Sequence, residues 1–90
     1  MMKAIVTVIG KDEIGILSKV SSACANVHAN ILEVTQSVLQ DVFAMIMLIE
    51  IDSSKIMLSE VQKELEKAGN SMGMKVHVMH EDIFNSMHKI

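Results

Sequence analysis

Two β-prone segments separated by only two residues, Gln40-Asp41, stand at the middle of this 90-residue chain. Residues 31–39 and 42–51 are rich in Val, Ile, Leu, Met and Thr, and so short a link can only fold one back on the other as an antiparallel hairpin. The flanking segments change period. From 13 to 28 the apolar positions Ile16, Val20, Ala23 and Val27, with Leu17 and Cys24 beside them, recur at three-to-four spacing, as a helix with one buried face requires. Residues 54–69 repeat the pattern with Leu58, Val61, Leu65 and Ala68, while Lys55, Glu60, Lys63, Glu64, Glu66 and Lys67 face water. Asp52-Ser53-Ser54 is expected to cap this second helix and Gly69 to stop it. Residues 3–9 and 74–79 are short and β-branched or apolar, and read as the first and fourth strands. The order β-α-β-β-α-β implies an α+β, ferredoxin-like fold: a four-stranded antiparallel sheet with two helices on one face. The tail 81–90, with apolar residues at 83, 84, 87 and 90, reads as a short additional helix.

The third strand constrains assembly. A sheet with one wet face should alternate apolar and polar residues. Val42-Phe43-Ala44-Met45-Ile46-Met47-Leu48-Ile49 is apolar throughout, so both faces need cover. An apolar patch of several hundred Å² rarely stays exposed on a monomer. The expectation is a homo-oligomer, most simply a dimer, with Phe43, Met45 and Met47 at the interface and Phe84 and Met87 joining from the tail. The alternative is a strand buried by the chain's own C-terminal helix.

Composition excludes several functions. A chain of this length makes one domain, expected over 1–90 with a core at 3–80. The eight basic residues are all lysine and the net charge is −3. That leaves no basic cluster for nucleic acid and no guanidinium fork for a phosphate or carboxylate. No apolar run is long enough to span a bilayer, and signal-peptide features are missing, so no membrane partner and a cytoplasmic location are expected. Cys24, the single cysteine, has nothing to pair with inside the chain and reads as a small buried hydrophobe. His28, His77, His80 and His88 show no metal-ligand spacing, since His77 and His80 point to opposite faces of a strand. Glu81-Asp82 is better placed to complement a helix dipole. Nucleophile elbow, phosphate loop and dinucleotide fingerprint are all missing. No catalytic residue, metal or cofactor is expected, and the chain does not read as an enzyme.

What remains is the loop Gly10-Lys11-Asp12-Glu13-Ile14-Gly15, which joins the first strand to the first helix, and the turn residues Asn30-Ile31. A helix start opening on a loop presents unpaired N–H groups and positive partial charge, which suits a small anion. Asp12 is positioned as N-cap, the amides of 13–16 are free to take a carboxylate, Asp12 can meet an ammonium group, and the Asn30 amide can bridge both. Each has a plainer job open to it: Asp12 capping the helix, Asn30 making a turn, Gly15 allowing close packing, Lys11 and Glu13 solvated.

The pattern Gly-Lys-Asp-x-x-Gly-Ile-Leu at 10–17, followed by Asn-Ile at 30–31, resembles that of ACT domains, with the resemblance running from about Lys3 to Met79. Small stand-alone ACT proteins and the paired domains of the glycine cleavage regulator type are similar, and the tail Ile83-Phe84-x-x-Met87-x-x-Ile90 is similar to the C-terminus of the small ones. The resemblance implies a regulatory module that binds an amino acid or similar molecule at a subunit interface and regulates a protein partner. It implies ligand contacts at Asp12 and Asn30 and close ligand approach at Gly15. Gly10 stands where some members carry a histidine contact, and that contact is missing here. A rival reading is a protein-interaction module acting through the apolar sheet face and C-terminal helix.

Overall fold

The computed structural model describes residues 1–11 and 13–87. Its elements are β1 (Met2–Lys11), α1 (Ile16–Asn26), β2 (Asn30–Leu39), β3 (Val42–Ile51), α2 (Leu58–Asn70), β4 (Lys75–His80) and α3 (Glu81–Met87). The strands form one sheet in the order β2-β3-β1-β4, each neighbour antiparallel. This is the ferredoxin-like arrangement expected, with α1 and α2 packed side by side on one face. The β2–β3 hairpin turns on Gln40-Asp41, with Gln40 taking the left-handed backbone at φ 58°.

The core follows from parity along the strands. Ala4, Val6 and Val8 of β1, then Met45, Met47, Ile49 and Ile51 of β3, point at the helices and are wholly buried. The helices answer with Val20 and Cys24 of α1 and Val61 and Leu65 of α2, the stripes that the spacing predicts. β4 contributes Val76 and the half-buried Val78. Gly69 sits inside α2, where a β-carbon would run into Cγ2 of Val76, so its small size sets how closely α2 approaches β4.

Three expectations are corrected here. The second helix starts at Leu58, not 54: the Asp52 carboxylate accepts the Ser54 N–H at 3.0 Å and hydroxyl at 2.6 Å, closing a turn ahead of the helix. The helix itself opens with the Met57 N–H donating to the Glu60 carboxylate at 3.4 Å, and it continues one residue past Gly69. Phe43, Met45 and Met47 are not interface residues, because they are 5%, 0% and 0% exposed beneath the helices. A strand apolar on both faces does not declare which face is inward. The residues turned away from the helices are Val42, Ala44, Ile46 and Leu48.

α3 lies across that other face, against β1 and β4. Ile5 points away from α1 and α2, yet is only 8% exposed. Phe84 is half-buried and Met87 is 64% exposed. The tail helix is expected over 81–90, and its last three residues, His88, Lys89 and Ile90, lie outside the described residues. The molecule measures 39 × 35 × 18 Å.

Candidate functional site: the loop between β1 and α1

β1 carries Gly10 and Lys11 to the edge of the sheet opposite Phe43 and Val42. Asp12 lies outside the described residues. Glu13 is exposed, and the Ile14 side chain stands 100% exposed at the tip. Gly15 then turns into the helix at φ +89°, in the left-handed region glycine enters without strain. Gly15 is the N-cap, three residues later than the expected Asp12, so the free amides shift from 13–16 to Ile16, Leu17 and Ser18. The Gly15 carbonyl accepts the Lys19 N–H at 2.9 Å as the first helical bond. Among the described residues no side chain caps this end. What the loop offers is three outward amides, the positive end of a helix of eleven residues and one bare isoleucine.

Asn30 and Ile31 are not brought to this loop. Asn30 opens β2 and pairs with Glu50, which pairs in turn with Lys3 at the start of β1. Seven residues along β1 separate that end from Gly10, so the two parts lie ~23 Å apart within one subunit. Asn30 is exposed, whereas Ile31 is half-buried against the core and serves packing. Sequence spacing put them together because an α-helix returning antiparallel to a strand hides how far its far end has travelled.

Two grooves were not anticipated. One of about 420 Å³ runs between α1 and α2, lined by Lys19, Ser22, Asn26, Glu64 and Lys67 over an alanine floor. Another, of about 130 Å³, lies at the turn after α1 beside His28, Asp52 and Lys55. Among the described residues, neither is lined by Gly10, Lys11, Glu13, Ile14 or Gly15. Asp52 is held below the ordinary carboxylate range by the Ser54 hydroxyl, then by the Ser54 N–H and by Lys55. Cys24 is the opposite case, its thiol pushed up to about 11 by burial. Among the described residues no three His, Cys, Asp or Glu side chains are grouped to hold a metal ion.

Residues 3–79 match the family model of the ACT domain. The chain belongs to the ACT domain family. Along its full length it is 46% identical to a UPF0237 protein of Methanocaldococcus jannaschii, with all 90 residues of each aligned. An ACT domain protein from Streptococcus pneumoniae superimposes with a TM-score of 0.81 at 35% identity, covering 92% of this chain and 93% of that one. A protein provisionally described as a glycine cleavage system transcriptional repressor shares the fold, with a TM-score of 0.77 at 20% identity over 88% of this chain and 45% of its own. ACT domains are regulatory modules that bind small molecules and commonly oligomerise.

Proposed function

We infer that the protein is a non-enzymatic regulatory ACT module that binds an amino acid, or a similar small zwitterion, where two subunits meet. It acts in the cytoplasm by stabilising one assembly for a protein partner. The observation that carries this reading is the separation of the loop from Asn30. A ligand that touches both must bridge two copies of the chain, and the fold has an edge suited to that. β2 is exposed along nearly its whole length, with its outer backbone groups unpaired by any other strand. A second copy aligned antiparallel along β2 would set its Asn30 beside Leu39, three strand spacings or ~14 Å from Lys11. α1, rather than α2, packs toward β2, which brings the loop over that side. The ligand carboxylate would then lie on the amides of Ile16, Leu17 and Ser18, with Ile14 against its side chain. Asp12 would take the ammonium group, with Lys11, Glu13 and Gly10 around the entrance.

Calorimetry and thermal shift against the twenty amino acids test the reading. At least one should raise the melting temperature at millimolar concentration, and a flat response to all twenty would remove amino-acid sensing. The exposed Ile83 and Met87 and the open sheet face favour a second reading, a pure protein-docking module. Asp12→Ala and Asn30→Ala separate the two, abolishing ligand binding while leaving docking intact.

A further inference from the structure

The sheet face turned away from α1 and α2 is divided into a covered half and an open half. The open half holds Ile9, Leu39, Val42, Ala44 and Ile46, brought together by the pairing of β1 with β3 and of β3 with β2. Ile9, Val42 and Ile46 are about half exposed, and Leu39 more so. α3 occupies the other half over Ile5, and its outer flank carries Ile83 and Met87, one turn apart and both more than half exposed. Charge differs between the ends as well. Lys11 and Lys75, opposite Val42 and Ile9, border the open half, with the acids Asp41 and Glu13 in the adjoining turns. Glu33, Glu50, Glu81 and Asp82 gather at the α3 end, with Lys3 among them.

We propose that this face takes a second copy of the chain, related by a two-fold axis that lays α3 of each protomer on the open half of the other. The inference goes beyond the ligand reading above and does not depend on the β2 edge. A two-fold contact requires each knob and its seat on the same surface, and this face has both. Reversing one copy also sets Glu81 and Asp82 of each toward Lys11 and Lys75 of the other, twice per contact. Four strands about 19 Å across, with the longest ~33 Å long, project roughly 600 Å². Side-chain relief brings that toward the roughly 800 Å² per partner of a standard interface. The patch is distinct from the β2 edge, so both contacts can exist in one assembly.

Sedimentation equilibrium on the full chain, with circular dichroism to check folding, tests this. Ile46→Asp places a charge at the centre of the open half and should halve the assembly mass, weakening association by at least about tenfold. Should that variant fail to fold, Ile9→Asp, half exposed on β1 in the same open half and away from the β2 edge, replaces it. Lys75→Glu and Asp82→Lys should each weaken association by roughly threefold to tenfold, and the double variant should recover it. Lys75 opens β4 and Asp82 follows its other end, His80, ~17 Å along the strand, so rescue needs another copy. An unchanged mass with the central substitution, or a double variant no tighter than the singles, overturns the proposal and leaves the ligand reading standing. A mass halved to a monomer supports this face and overturns the β2-edge pairing instead.

Discussion

At Gly15 the backbone alone explains the residue. A β-carbon there would meet nothing within 4 Å, so space is not the constraint, and the φ of +89° is. Gly15→Ala should therefore cost ~1–2 kcal/mol, measured by urea denaturation, with the fold unchanged. An unaltered midpoint would show that the turn is not held in this conformation. Cys24 gives a second test. Its thiol, wholly buried, is pushed up to about 11 from an ordinary 9, because burial disfavours the thiolate. The folded state binds this proton more tightly than the unfolded chain. Stability from it is intact below pH 9 and drains as pH rises toward 11. Cys24→Ala should flatten that alkaline slope, and a thiol reagent should leave native wild type unlabelled until it unfolds. Cys24 was legible as a buried hydrophobe from its place on the stripe of α1. Gly15 was legible as special but not as the cap, because Asp12 is chemically the better N-cap and only backbone conformation moves the helix start to Ile16.

At the scale of elements, the outer strands are treated unequally. β4 is held along its free edge by Gln62 of α2, whose amide donates to the Val76 carbonyl at 3.3 Å while its carbonyl accepts the Val78 N–H at 2.6 Å. β2 has no such side-chain clamp among the hydrogen bonds of the described residues, and β2 is the edge that remains available for pairing. Gln62→Ala leaves the Val78 N–H without its partner and should destabilise by ~1–3 kcal/mol. Amide hydrogen exchange should speed up at Val78 more than at the β1–β3 pairs, and uniform acceleration would contradict the assignment. Periodicity revealed the helices, the hairpin and the order of elements along the chain because apolar spacing and link length are properties of short stretches. It did not reveal Gln62, which sits among the charged residues of a solvated helix face and is distinguished only by what lies opposite it. Nor did it show which side of β3 faces inward, since both alternating sets, Phe43-Met45-Met47 and Val42-Ala44-Ile46, are apolar.

For the whole molecule, the proposed site is divided within one subunit and would be joined only where two copies meet. That arrangement has a consequence that single-chain chemistry cannot imitate. If Asp12 and Asn30 serve the same ligand from different copies, neither Asp12→Ala nor Asn30→Ala homodimers have an intact site. Mixing the two variants after mild unfolding makes half of the dimers mixed. Each mixed dimer has one site with both lesions and one with none, so about a quarter of wild-type binding capacity should return at wild-type affinity. Titration calorimetry of the mixture measures this as stoichiometry, separately from affinity. Recovery near zero would place both residues in one subunit's site, or one of them outside it, and would overturn the reading of a ligand bridging two copies. Recovery near a quarter would tie ligand occupancy to the pairing of copies, so ligand affinity should also rise with protein concentration across the association midpoint.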